Sequence, residues 1–284
     1  METKQQLIDR IVAATHRMRE TAVRCGIRAA KFDDGAHFGP GLSCIEITAT
    51  LYLGVLHQDP TNPSWPDRDR FIMSKGHGIL GYYTALAEAG YFTHQFLLDN
   101  YETDNGPFCG HPCRNLSYGI ETSTGSLGHG LSIGTGIALT AKLDHKTFDT
   151  YVLLGDGECN EGSVWEAVML ANQYKLDNLI AIVDRNKLQS DGLSREIIDM
   201  EPLTEKWRSF GWQVEEVNGH NPGELLEAFH RKNRPMGRPY VVIAHTTKGK
   251  GVSMFEDNNK WHHKKISSAE AEQALEELGA GTAD

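Results

Sequence analysis

Apolar residues mark the elements of this chain before any chemistry is considered. Leu7, Ile8, Ile11, Ala14, Met18 and Ala22 recur at helical spacing and predict an opening amphipathic helix. A breaker-rich stretch, "KFDDGAHFGPGLS" (31–43), reads as a loop, and "CIEITATLYLGVL" returns to apolar, helical sequence. Three prolines in "QDPTNPSWPDRDR" (58–70) predict another loop. "GILGYYTALAEAG" predicts a helix that ends at Gly90, and 100–124 is polar and irregular. From 151 onward the pattern changes to short buried runs alternating with helices. Strands are predicted at 151–154, 179–183, 213–217 and 240–244, with helices at 163–175 and 223–233. Such alternation predicts βαβ units, an α/β fold with a mostly parallel sheet flanked by helices. The tail after Ser267 is small, acidic and alanine-rich, and predicts a helix that frays.

Composition narrows the class. The chain has 284 residues, 39% of them hydrophobic and 23% charged, enough for one large α/β domain or two small ones. A net charge of −10 argues against nonspecific nucleic-acid binding. No apolar run reaches the length of a membrane span, and the N-terminus lacks a signal-peptide core. The expectation is a soluble cytoplasmic protein with no nucleic-acid or membrane partner. Five cysteines without a secretion signal predict free thiols. "CGHPC" places Cys109 and Cys113 around His111, a pattern that allows a metal site but lacks the second Cys/His pair of a zinc motif.

Ligands of a parallel sheet bind at the carboxyl ends of its strands. After strand 151–154 the sequence reads "GDGECNEG": three glycines, three carboxylates and no base. It is not a Walker loop, and Asn160 breaks the dinucleotide fingerprint that Gly155 and Gly157 begin. A carboxylate can meet a diphosphate only through a cation, and Mg²⁺ or Ca²⁺ takes hard oxygen ligands. The end of strand 179–183 offers further oxygen donors in Asp184, Asn186 and Asp191. Upstream, "TGSLGHGLSIGTGIALTAKL" repeats glycine at 125, 128, 130, 134 and 136, which fits either close approach of a cofactor or tight packing of a helix within its own domain.

GDG followed about 30 residues later by Asn186 resembles the thiamine-diphosphate motif. Together with "DRDRFIMSKGHG", "GHPCRN", "ETSTGSLGHGLSIGTGIA" and "TTKGKGVSMFEDNNKWHH", it resembles the transketolase family from about residue 7 to 265. The match corresponds to the family's first, diphosphate-binding domain. We read 1–265 as that domain and 266–284 as a short tail.

The resemblance implies specific roles. Asp156, Asn186 and the carbonyl of Leu188 would hold the metal. His77, Gly125, Ser126, Leu127, Gly155, Asp156, Gly157, Glu161, Asn186 and His262 would contact thiamine diphosphate. His37, His111 and His262 would shuttle protons at the sugar. His263 lies next to His262 and competes for its assignment. Lys248 and Lys250 would either balance diphosphate charge or lie in a solvated loop. Of the remaining histidines, His16, His57, His94, His145, His220 and His230 are read as structural, with His129 and His245 open. At His37, "GAHFGP" stands where the family runs "SGHPG".

Transketolases transfer a two-carbon ketol unit from a ketose to an aldose. They need a glutamate on the cofactor's aminopyrimidine, which the family carries in its second, pyrimidine-binding domain. The resemblance therefore implies a split enzyme: this chain as the N-terminal half, a separate C-terminal-half chain, and an α2β2 assembly with Glu161 at the interface. "NYETDNGPFC" stands where the family carries an arginine-containing run, which points to a modified ketose or ketose phosphate. Alternatives are another thiamine-diphosphate enzyme (a 1-deoxyxylulose-phosphate synthase or a 2-oxoacid dehydrogenase component), a non-catalytic regulatory subunit or, more distantly, an NAD-binding oxidoreductase.

Overall fold

In a computed structural model, which describes residues 2–32, 34–230 and 236–281, five strands form one wholly parallel sheet. In chain order they are β1 (Arg70–Met73), β2 (Thr150–Gly155), β3 (Leu179–Arg185), β4 (Gln213–Asn218) and β5 (Tyr240–His245). Their spatial order is β1-β2-β3-β5-β4. The four predicted strands are present, and β1 is an addition. Only three apolar residues separate its charged approach from "SKGHG", too few to stand out from the loop before it.

The sheet's two faces show why the strand runs are continuously apolar. Tyr151, Leu153, Ile180, Ile182, Tyr240 and Val242 point into one core. Val152, Leu154, Ala181, Val183, Val241 and Ile243 point into the other. Strands buried on both sides must be apolar at every position, as is usual where helices cover a parallel sheet. The first core is closed by the opening helix, Lys4–Lys31, which begins in a capping box between Thr3 and Gln6. That helix runs nine residues past Ala22, the last position of its sequence pattern. The second core is closed by the helices Gly130–Leu143 and Gly162–Gln173.

The remaining helices lie close to the predicted ones. Ile79–Glu88 ends before Gly90, whose φ of +91 lets the chain turn back. Pro222–Phe229 is shorter than expected, and positions 231–233 of that expectation lie outside the described residues. The stretch read as loop at 31–43 contains a short helix, Phe38–Leu42. The tail forms a helix, Ser268–Glu277, with a capping box at Ser267, and its Ala271, Ala274 and Leu275 are buried in the first core. Among the described residues no helix is long and apolar enough to cross a membrane.

Candidate active site

The carboxyl ends of β1, β2, β3 and β5 meet around one cavity of about 420 Å³, a size that suits a cofactor or small ligand. β1 delivers Lys75 and His77, β2 delivers Gly155, Asp156 and Gly157, and β3 delivers Asn186 and Leu188. The chain after β5 delivers Lys248 and His262. His37, His111, Gly125, Leu127 and Glu161 complete the predicted set on the wall. Ser126 does not line this cavity. It faces a neighbouring groove with His129 and Ile133.

A backbone zipper gathers the histidines. Ala36 and Lys264 form an antiparallel bridge, with N–H···O distances of 3.1 and 3.2 Å. Close to the bridge residues are aromatic anchors: Phe38 and Trp261 pack with Phe255 at centroid distances of 5.0 and 4.3 Å. The zipper brings His37 to 4.4 Å from His263 and 5.8 Å from His262, ring to ring. His111 packs edge-on against His37 at 5.4 Å, and His77 stacks on His262 at 5.3 Å. Thus both neighbours in the "WHH" motif reach the cluster, with His262 on the cavity wall and His263 beside His37.

The four rings on the cavity wall, His37, His77, His111 and His262, are held neutral. Burial, then the imidazoles of His263, His111 and His262, push His37 down to about 3. Burial, then Lys248 and Lys75, push His262 down to about 4. His77 is driven well below the usual histidine range, by burial first and then by Lys75. At neutral pH each ring therefore offers one N–H donor and one acceptor nitrogen, the arrangement a proton shuttle needs.

The acidic glycine loop divides its carboxylates among different tasks. Asp156 is 8% exposed. Its Oδ1 accepts from the Gly157 N–H at 2.9 Å, and its Oδ2 from the Lys187 N–H at 2.8 Å and the Ser194 hydroxyl at 3.2 Å. Burial, reinforced by the Asp184 carboxylate, pushes Asp156 up to about 6. Glu158 is a clamp: it accepts from the Gly128 N–H at 2.9 Å and the Gly155 N–H at 3.1 Å, tying the glycine-rich segment to the end of β2. Glu161 is exposed at the start of the helix Gly162–Gln173.

Of the three oxygen donors expected at the end of β3, only Asn186 reaches the cavity. Its Oδ1 accepts from the Leu188 N–H at 3.1 Å, which leaves its second lone pair available. Asp191 accepts from Ser190 on the following loop. Asp184 is 0% exposed and paired with Lys75, itself 0% exposed. Ser43, Thr246 and Asn186 also donate to Asp184. Burial alone would raise Asp184 and lower Lys75; their mutual attraction overrides it in both, keeping the carboxylate low and the ammonium high. This buried pair was not legible in the sequence, because its partners are 109 residues apart.

Lys248 is likewise buried, donating to the Gln189 carbonyl and to Asn259 Oδ1, both at 2.9 Å. Burial, then Lys75, push it down to about 8, so it remains mostly charged at neutral pH. Lys250 instead pairs with Glu256 at 3.0 Å, away from the cavity. The glycines also separate. Gly125 has φ +153, and a Cβ on it would meet the His111 ring at 3.4 Å. A Cβ on Gly155 would meet only Lys75, at 3.9 Å, so that position opens onto the cavity. A Cβ on Gly157 would fall 2.6 Å from Gln189, so its missing side chain accommodates that residue. Gly134 serves packing: a Cβ there would fall 2.4 Å from Val152.

His220, read as structural, supports the site from behind. One ring nitrogen bonds Glu46 at 2.9 Å and the other accepts the Thr247 N–H at 2.8 Å, next to Lys248. Glu46 also pairs with Arg19. This strut holds the "TTKGKG" loop against the opening helix. His220→Ala is expected to lower the unfolding free energy by about 1–3 kcal/mol, because both partners lose a hydrogen bond. Urea titration measures it, and a change too small to detect would contradict the strut.

The cavity's unmet bonding fits an anionic, cation-bound ligand. Three buried atoms on its wall have no partner: His262 Nδ1, Gln189 Nε2 and Asn160 Oδ1. An orphaned buried polar atom costs about 1–3 kcal/mol; an anionic oxygen would relieve the Gln189 Nε2 donor and an N–H at His262 Nδ1, and a cation or hydroxyl the Asn160 Oδ1 acceptor. Among the described residues no three His, Cys, Asp or Glu side chains gather as a metal site. The donors available beside Asp156 are an amide and backbone oxygen, a hard-oxygen set of the kind that suits Mg²⁺ or Ca²⁺. Cys109 and Cys113 are exposed free thiols.

A parallel α/β domain with charged and imidazole groups converging on its strand ends is a ligand-binding domain of the open-sheet α/β class. More narrowly, residues 17–283 match the family model "Transketolase, thiamine diphosphate binding domain", and the chain belongs to the transketolase family. It is 46% identical over 244 residues to one of the subunits of apulose-4-phosphate transketolase from Actinobacillus succinogenes, covering 86% of this chain and 88% of that protein. It is 42% identical over 242 residues to a 6-deoxy-6-sulfo-D-fructose transketolase subunit of a Clostridium species, covering 85% and 88%. Transketolase from Campylobacter jejuni superimposes with a TM-score of 0.83 at 27% identity, over 94% of this chain and 43% of that one. The chain thus spans about two fifths of the solved transketolases it resembles.

Proposed function

We propose that this chain is the diphosphate-binding half of a two-chain, thiamine-diphosphate- and Mg²⁺-dependent transketolase. The convergence of Asp156, Asn186, His37, His77, His111 and His262 on one cavity at the carboxyl ends of β1, β2, β3 and β5 carries the reading. The size of the relatives supports the two-chain form: the apulose-4-phosphate transketolase subunits match this chain over most of their own length. The partner would carry the pyrimidine-binding half, in an α2β2 assembly, with exposed Glu161 at the cavity edge facing it.

Asp156, Asn186 and the Leu188 carbonyl would hold the cation, and through it the diphosphate. His77, His262 and Lys248 would bond the remaining diphosphate oxygens; the unpartnered Nδ1 of His262 supports this. The backbone at Gly125 and Leu127 would pass along the cofactor rings. When bound, the cofactor's thiazolium supplies the electron sink for breaking the ketose C2–C3 bond. Neutral His37, His111 and His262 would accept a proton from the donor sugar's hydroxyl and return one to the acceptor's carbonyl oxygen. Two relatives are named for a sugar phosphate and a sulfo sugar. On that basis the proposed substrates are a ketose and an aldose bearing an anionic group. The experiment is a ketol-transfer assay of the chain with and without its pyrimidine-half partner.

A further inference from the structure

A second cavity, of about 440 Å³, borders the candidate active site and has no task in the reaction above. The two cavities share Asp156 and Asn160. The segment after β3 contributes to both: Leu188 and Ile197 line the first, and Lys187, Ser194 and Arg195 line the second. That segment opens as a small hairpin. Leu188 and Leu193 form an antiparallel bridge, the Gln189 N–H donates to the Gly192 carbonyl at 2.8 Å, and the Ser194 N–H donates to the Lys187 carbonyl at 2.9 Å. The base of the hairpin grips one carboxylate oxygen. The Lys187 N–H and the Ser194 hydroxyl both donate to Asp156 Oδ2, at 2.8 and 3.2 Å.

The acids of this second cavity are engaged, and two of its cations are not. Asp199 accepts the Glu201 N–H at 2.9 Å, and Glu201 accepts the Leu203 N–H at 3.2 Å and pairs with Arg185. The side chains of Lys187 and Arg195 have no hydrogen bond or ion pair among the described residues. Lys187 also has φ +66, a left-handed backbone that glycine adopts freely and a side chain disfavours. An ammonium and a guanidinium fork, both uncommitted and facing one concave surface, suit a phosphate.

We propose that this second cavity binds a phosphate dianion, free or as the monoester of a small metabolite, between Lys187 and Arg195, and that binding stiffens the hairpin's hold on Asp156. Lys187 belongs to one arm of the hairpin and Arg195 follows the other. A phosphate bonded to both ties the arms together at the end that aligns Asp156. The ligand reaches the metal-site carboxylate through the Lys187 N–H and the Ser194 hydroxyl, without entering the first cavity. By linkage, a ligand that favours the aligned carboxylate also favours a cation bound to it.

Calorimetric titration of the full chain with inorganic phosphate and with glycerol 3-phosphate tests the site. Saturable binding of one equivalent is expected. Arg195→Met and Lys187→Gly should each weaken it by about 10-fold or more, the loss of a charge-assisted hydrogen bond. Glycine adopts the φ of Lys187 without strain, so that variant removes the charge and keeps the fold. Lys248→Met, which removes a cation of the first cavity, should leave the affinity unchanged. Tighter binding of the ester assigns the site to a phosphorylated metabolite; equal or tighter binding of inorganic phosphate assigns it to the free anion. No saturable binding, unchanged affinity in both Arg195→Met and Lys187→Gly, or a loss confined to Lys248→Met would overturn the site. Hydrogen exchange of the Lys187 amide should slow several-fold at saturation; unchanged exchange in a saturated sample would overturn the stiffening. A last arm rests on the transketolase reading. In the two-chain enzyme, saturating glycerol 3-phosphate should lower the Mg²⁺ concentration that half-activates ketol transfer several-fold, and an unchanged requirement would overturn the link to the cation. Calorimetry and hydrogen exchange need no partner chain, so they fail separately from that reading.

Discussion

Asp156→Ala is expected to abolish cation-dependent cofactor binding, lowering the affinity of the assembled enzyme for thiamine diphosphate in Mg²⁺ by more than about 100-fold. Losing a residue that merely orients a metal ligand costs about 10–100-fold, and Asp156 is proposed as a ligand itself. Its position argues for the size of the effect. The carboxylate is buried at the end of β2 and aligned by the Gly157 and Lys187 N–H groups and the Ser194 hydroxyl. Neither neighbouring buried carboxylate is free to replace it: Asp184 is engaged by Lys75 and Glu158 by the Gly128 and Gly155 amides. Calorimetric titration of cofactor in Mg²⁺, and again in chelator, measures the effect. The wild type should lose affinity in chelator and the variant should bind weakly in both. Wild-type affinity in the variant, with native circular dichroism, would contradict the ligand assignment.

The second large effect is on stability. Lys75→Met leaves the Asp184 carboxylate charged in the core beneath the cavity, and breaking a buried ion pair in this way costs about 3–5 kcal/mol. That is a large share of the roughly 5–15 kcal/mol that holds a domain folded. Asp184→Asn alone should also be costly, because it leaves the Lys75 ammonium without its counter-charge. Combining the two removes both charges, so the double variant should be less destabilised than the sum of the singles. The coupling should reach on the order of 1–3 kcal/mol. Urea unfolding of the four proteins gives the cycle; additive losses would contradict a coupled pair.

The contrast between these two sites shows what a sequence can reveal. β2, β3 and β5 were legible because strands buried on both faces are apolar at every position. β1 was not, since its exposed approach is charged and its buried stretch is only Phe71, Ile72 and Met73. Asp156 was legible because it closely follows a visible strand, whereas strand position offered Asn186 only together with Asp184 and Asp191, and the resemblance to the transketolase family singled it out. Lys75 was hidden in a glycine-rich turn, and its role depends on a partner brought close only by the β1-β2-β3 order. Lys248 and Lys250 read alike, yet one is sealed behind Gln189 and Asn259 while the other meets Glu256 at the surface. Loop lysines two residues apart differ through tertiary burial, which local sequence does not encode. The same applies to His220, which becomes a strut only because the opening helix and Glu46 pack against its loop.

Evidence that an active site is divided between two chains comes most directly from ketol transfer measured with the purified chain, its pyrimidine-half partner, and the mixture, each with thiamine diphosphate and Mg²⁺. Neither chain alone is expected to transfer ketol units, and the mixture should transfer them robustly unless it carries Asp156→Ala. Robust transfer by this chain on its own would contradict a divided site.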